Sequence, residues 1–422
     1  MLFQTLLTYI VAFFGLFTTV YFLLILIENR KQLTNPKPIH GATISIIIPA
    51  RNEEVSIIRT LENIGKLQYP KDKLEVIVVD NNSTDNTFQL VQEYIKKAKF
   101  SLQVFKESKP GKNHAVNLGL EKAKGEFVST LDADCFPESD CLKKMMGYFR
   151  DQQTVGVTAS LSVYNPKGFW LRLQHVEYTL GIFLRKVFSL VNALHVIPGA
   201  FSLYRKAFFD KFGGFKSAYH TEDIELALRI QTIGYKITNS VDAKCFAVSP
   251  HSFKGLLLQR MRWYYGFVRN IWDYKHLFKW HYGDMAILLL PAALISVILT
   301  LTSFFYIIYL NVDIIRLFLI RQASIGFDTS SWFNIELNKV TNFISGFVTG
   351  PTIFFFFISV VLLLTVVFLG KKYSKETRSL ALGLFYFFLI YWVFYAVWWF
   401  AAIVYKSLTH KKLTWEKGER RV

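Results

Sequence analysis

A chain of 422 residues that is 52% hydrophobic and 17% aromatic, with 40 Phe, is too apolar for an ordinary soluble protein and points to membrane segments. Lys and Arg outnumber Asp and Glu by 49 to 31, a formal charge of +18. Beside long apolar runs this suits anionic headgroups and a positive-inside bias, so no nucleic-acid partner is expected.

The length suggests two or three structural units. Leu2 to Ile27 carries no charge, reaches spanning length and runs into Glu28-Asn29-Arg30-Lys31. Residues 1–27 are therefore expected to be an uncleaved transmembrane anchor with its basic flank in the cytoplasm. Residues 28–42, with Asn35-Pro36-Lys37-Pro38, read as a linker. From Thr43 the period changes. The β-branched run Ile44–Ile48 ends at Pro49, a helical pattern covers Glu53 to about Lys66, and Leu74–Val79 closes on Asp80. A helix from about Thr87 to Lys99 leads to a strand at Leu102–Phe105. Gly111–Ala123 is helical, and Phe127–Leu131 is a fourth strand. Strands alternating with helices predict βαβ units and a parallel sheet. Asn52, Glu53, Asp80, Asn81, Ser83, Asp85, Asp132 and Asp134 follow the strands, where an open α/β sheet binds a nucleotide. There is no GxGxxG or Walker sequence.

In VSTLDAD, Val128 to Asp134, extended backbone would turn Asp132 and Asp134 the same way. Such a pair repels unless a cation lies between, and a divalent metal carrying a nucleotide diphosphate suits it. Asp is also common in caps and turns. Lys109-Pro110-Gly111-Lys112 places a glycine turn and a lysine at a helix start. That suits a phosphate, and equally a solvated surface lysine. Cys135, Cys141 and Cys245 fit neither a zinc pattern nor a disulfide framework, and their segment is read as facing a reducing cytoplasm.

Val155–Ser160 is a further strand. Phe169 to Leu194 is too charged to span and reads as an amphipathic helix at the membrane surface or as a core helix. Pro198-Gly199-Ala200 begins a strand, and Gly213-Gly214-Phe215 marks a turn. Thr221-Glu222-Asp223 precedes a helical run, Ile224–Ile233. It is either an N-cap with acidic residues on the helix dipole or a carboxylate general base for an acceptor hydroxyl. Residues 251–282 are basic and aromatic around Gln259-Arg260-Met261-Arg262-Trp263. Arginine forks onto phosphate and indole packs on sugar, while the same composition favours interfacial anchoring. Within 283–405, Met285–Leu310, Phe343–Leu369 and Leu380–Tyr405 each reach spanning length. Lys371-Lys372-Tyr373-Ser374-Lys375 is a basic loop expected in the cytoplasm, and 406–422 is a basic tail. Three spans after a cytoplasmic domain put that tail outside, against the charge rule, unless one run is re-entrant or Met285–Ile320 passes twice.

The motifs IIIPARNEE, VIVVDNNSTDNT, GKNHAVN, LDAD, PGAFSLYRK, GGF, TED and QRMRW stand in this order from about Ser45 to Gly266. Together they resemble the inverting membrane glycosyltransferases of family 2. The resemblance is greatest to processive poly-N-acetylglucosamine synthases and more distant to cellulose and hyaluronan synthases. His175-Val176-Glu177-Tyr178 and the Trp415-to-Arg420 stretch also look like the first group. The resemblance implies an α/β domain of the GT-A fold at 43–250, Rossmann-like and mostly parallel, embedded between transmembrane helices and cytoplasmic at the plasma membrane. It implies that Pro49, Ala50 and Glu53 border the nucleoside, Asp80 binds uracil and Lys112 reaches the diphosphate. Asp132 would contact the donor, and with Asp134 would hold Mg²⁺ or Mn²⁺. Asp223 would be the general base with Glu222 beside it, and Gln259, Arg262 and Trp263 would hold the diphosphate and the acceptor sugar. The partners implied are a UDP-sugar, best matched by UDP-N-acetylglucosamine, a polysaccharide or lipid acceptor, the bilayer and a possible accessory membrane subunit. Transfer of one sugar to a lipid is the alternative, since QxxRW sequences also occur in ceramide glucosyltransferases. Asn81-Asn82 stands where the family usually has Asp-Gly, and a single N-terminal span stands where several relatives have two.

Overall fold

The computed structural model describes residues 2–34, 36–39, 41–326 and 351–408. They form two compact units, one of Met1–Leu24 with Ala292–Val366, the other of Ile25–Pro291 with Val367–Val422.

The second unit holds eight strands: β1 (Ile44–Ala50), β2 (Leu74–Asp80), β3 (Ser101–Lys106), β4 (Phe127–Leu131), β5 (Cys135–Pro137), β6 (Thr154–Val163), β7 (Phe201–Arg205) and β8 (Lys236–Ala247). They make one sheet in the order β3-β2-β1-β4-β7-β6-β8-β5. Every residue of β1 is buried, as a central strand covered on both faces requires. The four strands expected to be parallel are parallel. Beyond β4 the sheet is mixed, since β7 runs antiparallel to both β4 and β6, and β5 to β8, while β6 and β8 are parallel. The order 3-2-1-4 reverses its direction of growth between β1 and β4, and there the two strands part. Their ladder ends at Ile47↔Thr130, while β1 continues beside β2 to Ala50↔Asp80. Thus β1 does not stop at Pro49. Proline lacks the N–H a two-sided ladder needs, and by that point one side has ended. The crevice so opened lies where such sheets bind ligands.

Some boundaries differ from the sequence expectation. The first helix after β1 spans Ile57–Gly65 and not Glu53 onward. The Ser56 hydroxyl donates to Glu53 Oε2 (2.5 Å) and the Glu53 N–H donates to Thr87 Oγ1 (2.8 Å), which holds 53–56 in a turn. The strand expected from Pro198 begins at Phe201, and the amphipathic helix ends at Leu190. That helix has its buried face, including Leu173, Val176 and Val187, within the folded core.

In chain order the helices used below are α1 (Leu2–Glu28), α2 (Ile57–Gly65), α3 (Thr87–Ile95), α4 (Lys112–Lys122), α5 (Cys141–Met146), α6 (Phe169–Leu190), α7 (Lys206–Phe212), α8 (Glu222–Thr232), α9 (Phe253–Asp273), α10 (Leu290–Ser324), α11 (Pro351–Tyr373), α12 (Ala381–Tyr386) and α13 (Trp392–Leu408). Among the described residues, four stretches are long and apolar enough to cross a membrane: Leu2–Glu28, Met285–Ser324, Ile353–Tyr373 and Ala381–Tyr405. Met285–Ser324 is one continuous helical stretch. Residues 343–350, Asn35 and the tail from 409, with Trp415 to Arg420, lie outside the described residues.

In the first unit, α1 packs edge-on against its neighbours through Phe3 and Tyr306 (4.9 Å) and Tyr9 and Phe355 (5.7 Å). Phe13 and Leu317 remain largely exposed, as a lipid-facing surface requires. In the second unit the turn after α11 docks on the sheet at β8. The Lys375 ammonium lies 2.8 Å from Asp242, and Lys244 donates to the Lys375 carbonyl (2.7 Å). The Glu376 carboxylate accepts from Ser162 (3.2 Å) and Arg378 (2.6 Å) and lies 3.4 Å from His175 Nε2.

Candidate active site

The site gathers at the C-terminal ends of β1, β2 and β4. Pro49 and Ala50 end β1 opposite Val79 and Asp80. Asp80 is buried; its Oδ2 accepts from the Ser83 N–H (3.4 Å), while Oδ1 has no partner. An enclosed carboxylate oxygen without a donor is open to a ligand N–H. Glu53 is also buried, but turned into its own network with Ser56.

Asn81, which the sequence places among the polar residues at the strand ends and as a departure from the family pattern, holds the loops together. Its amide donates to the carbonyls of Glu107 (3.1 Å) and Lys109 (2.7 Å), and its Oδ1 accepts from the Gly111 N–H (2.8 Å). An aspartate supplies no such donor. Asn82 takes the left-handed conformation (φ 56°), as the turn needs. Gly111 has φ 133°, where a side chain is strained, and from it α4 begins with Lys112.

Lys112 is the hub. Its Nζ lies 2.6 Å from Asp132 Oδ1 and 3.7 Å from Glu222 Oε1. Burial would lower its pKa, but Asp132, Glu222 and Asp223 together hold it above the ordinary range. A Cβ on Gly199 would stand 2.8 Å from this ammonium, so the PGA loop approaches it without a side chain.

Asp132 and Asp134 do not lie in extended backbone, contrary to expectation. The strand ends at Leu131 and a turn follows, closed by Cys135 N–H to Asp132 O (3.0 Å). The turn is pinned by Asp132 N–H to Ala200 O (3.1 Å) and by the Thr60 hydroxyl to Ala133 O (2.7 Å). It still brings one oxygen of each carboxylate and the Cys135 sulfur within 4.8 Å of one another. This set fits a hard divalent cation through the two carboxylates. The Cys135 thiol points at Asp134 Oδ1 (3.6 Å). Its hydrogen bond to Cys245, its burial and the Asp134 charge hold it well above the usual thiol range. Sulfur is a soft donor and matches a hard ion less well than the two carboxylates do.

Glu222 and Asp223 open α8. Thr221 does not cap that helix. Its hydroxyl donates to Ala218 O (2.7 Å) and accepts from Asn270 of α9 (2.9 Å). Gly266 of α9 makes this contact possible, since a Cβ there would lie 2.2 Å from Thr221 Oγ1. The Ile197 N–H donates to Asp223 O (3.3 Å). Burial, then the Glu222 charge, push the Asp223 carboxyl up to about 7, while Lys112 and the Ile224 N–H pull it down. Three carboxylates, Asp132, Glu222 and Asp223, act on one ammonium, and with Asp134 beside Asp132 the site carries a surplus of acidic groups that a further cation relieves.

The QRMRW residues lie on α9, the helix that meets the Thr221 turn through Gly266 and Asn270. Gln259 Oε1 is enclosed without a partner. Trp263 is half-buried and lies under the Arg260 guanidinium at 4.2 Å. Arg260 itself is fully buried and paired with Glu177 on α6 (2.7 Å). The sequence reading gave neither Arg260 nor Glu177 a role. Their complementary charges stand 83 residues apart, and only the fold pairs them.

Residues 45–213 match the sequence model of Glycosyl transferase family 2. The chain is 33% identical over 248 residues to the probable glycosyltransferase YdaM of Bacillus subtilis (strain 168), which covers 56% of each. It is 29% identical over 251 residues to the poly-beta-1,6-N-acetyl-D-glucosamine synthase of Staphylococcus epidermidis, covering 58% of this chain and 60% of that one. Both matches thus span less than two thirds of the relative. The solved mannosyltransferase PcManGT from Pyrobaculum calidifontis, in complex with GDP-Man and Mn²⁺, superposes with a TM-score of 0.52 at 20% identity, over 87% of this chain and 99% of that one, and shares the fold. The catalytic domain is a family 2 glycosyltransferase domain of the GT-A fold. It is distantly related to the poly-β-1,6-N-acetylglucosamine synthases.

Proposed function

We propose that this membrane protein transfers a sugar, N-acetylglucosamine by our reading, from its UDP conjugate to a growing β-linked polysaccharide with inversion, and assists passage of the product into the membrane. The observation that carries the reading is the convergence of Lys112, Asp132, Asp134, Glu222 and Asp223 beside the β1–β4 crevice. In this reading residues 43–250 are the catalytic domain, 251–282 the interfacial segment, and 1–27 and 283–405 the membrane part. The docked turn at Lys375 and Glu376 supports placing the catalytic domain and the loop after α11 on one membrane face.

Pro49, Ala50 and Glu53 border the nucleoside, and the open oxygen of Asp80 accepts the uracil N–H. Asp132 and Asp134 hold Mg²⁺ or Mn²⁺, which when bound neutralises charge on the leaving diphosphate. Lys112 and Arg262 act on the same charge. Asp223 takes the proton of the acceptor hydroxyl. The acceptor oxygen then bonds to the anomeric carbon from the face opposite the diphosphate, and UDP leaves with the electron pair of the broken bond. Glu222 keeps Asp223 basic, and Gln259 and Trp263 hold the acceptor sugar.

The test is UDP release by the purified full-length chain over a panel of UDP-sugars, with and without chelator, with products sized on a gel. Release with UDP-N-acetylglucosamine and a ladder of long products is expected, lost in chelator and restored by Mg²⁺ or Mn²⁺. A lipid-sized product would replace the polymer reading with single-sugar transfer, and full activity in chelator would remove the metal role of Asp134.

A further inference from the structure

Arg185 and His195 are two interacting basic side chains that the reaction above leaves unused. Arg185 sits on α6 and folds back along its own helix, where Gly181 leaves the space; a Cβ at 181 would stand 3.1 Å from Arg185 Nη1. Its Nε and Nη2 are enclosed and have no hydrogen-bond partner, and among the described residues it belongs to no ion pair. His195 follows in the loop after α6. Its ring stands 5.7 Å from Phe188 and 5.7 Å from Phe267 of α9, and its Nδ1 is likewise enclosed and unpartnered. Burial, then the Arg185 charge, hold the His195 imidazole down at about 4, so the ring is neutral and offers one donor and one acceptor. Burial also lowers Arg185, to about 10, and the group remains a cation at neutral pH.

A guanidinium edge enclosed with no counter-charge beside it is costly to keep. Nε and Nη2 form one edge of the arginine fork, the edge that meets two oxygens of a phosphate side-on. The loop that carries His195 also reaches the reaction centre. Two residues beyond His195, the Ile197 N–H binds the carbonyl of Asp223 (3.3 Å). We infer that Arg185 and His195 bind a phosphate group where α6 meets α9. The phosphate belongs either to an anionic lipid headgroup or to a soluble ion, and the chemistry of recognition is the same for both.

The test reads binding and not turnover, so its failure is distinct from failure of the transferase reading. Thermal unfolding of the full chain is followed in phosphatidylcholine nanodiscs, with and without inorganic phosphate, and in nanodiscs doped with phosphatidylglycerol. The wild-type midpoint should rise by about 2 °C or more with one of the two anion sources. Arg185→Gln should unfold no lower than wild type in neutral lipid, having lost an uncompensated charge, and should respond to neither source. Arg185→Lys keeps the charge without the fork and should show a reduced response; it carries the test if the glutamine variant does not fold. A rise with inorganic phosphate identifies a soluble ligand, and a rise with phosphatidylglycerol alone identifies the headgroup. A variant response equal to that of wild type, or no response in wild type, overturns the site.

Discussion

The first four strands and the second four build two different kinds of half-site. After β1 and β2 the loops are stitched to each other. The Asn52 N–H donates to Ser83 (3.0 Å), Thr84 N–H to Asn52 Oδ1 (2.8 Å), Glu54 N–H to Asp85 (3.1 Å) and Asn86 N–H to Glu54 (3.1 Å). This network leaves Asp80 Oδ1 as an open acceptor at the strand end. The other half, on the helices that follow β6 and β8, leaves Arg260 Nε and Nη1 and Gln259 Oε1, all on α9, enclosed without partners. Buried polar atoms are normally satisfied, so each such atom needs a reason. In the function proposed above, the first half is linked up around a nucleotide and keeps one acceptor for it. The second keeps several polar atoms for a varied or moving acceptor.

The largest break in this comparison should come from Asp223→Asn. It removes the base from the acceptor half and leaves the nucleotide half untouched. Turnover should fall by about 10² to 10⁴-fold, while the affinity for the UDP-sugar, measured by calorimetry, stays as it was. Equal turnover by the variant would end the role of Asp223 as base. Lys112→Met should come next, with a loss of about 10²-fold. Because this ammonium touches both Asp132 and Glu222, the variant should weaken donor binding as well as turnover. An effect on turnover alone would assign Lys112 to the acceptor half. Smaller again is Gly266→Ala. The new Cβ meets Thr221 at 2.2 Å, an overpacking worth about 1–3 kcal/mol. Turnover and melting temperature should drop with donor affinity unchanged, and adding Thr221→Ala should recover part of the loss. If donor affinity falls equally, the two halves are not separable.

The same contrast explains what was legible in the sequence. The nucleotide half is built from short segments in βαβ order, each strand run ending in its own polar residues. Pattern alone therefore placed Asp80, Asp132 and Asp134 at strand ends. Even there the turn at Ala133 was hidden, because its pins, Thr60 and Ala200, come from other segments. The acceptor half depends on partners far apart in the chain. Arg260 with Glu177, Gly266 with Thr221, and Ser162 with Glu376 across 214 residues carry no local signature. The order β7-β6-β8-β5 is likewise set by long-range pairing, and no local period announces an antiparallel β7 between β4 and β6.

The smallest effect is the pH dependence of Asp223, and it tests how far the two halves are coupled. Burial and Glu222 raise this carboxyl to about 7, and Lys112 opposes them. As a base it must be ionised, so kcat/KM should climb about tenfold per pH unit below 7 and level off above it. Stability runs the other way. Between about 4, where an unfolded aspartate titrates, and about 7, the folded protein keeps a proton that the unfolded chain has lost. Stability should therefore fall as pH rises through that window, and Asp223→Asn should stabilise the protein more at pH 8 than at pH 5. Lys112→Met removes the opposing charge, so its activity profile should shift to higher pH than that of wild type. A shift to lower pH would mean that the ammonium does not act on Asp223, and that the nucleotide half reaches the base by some other route.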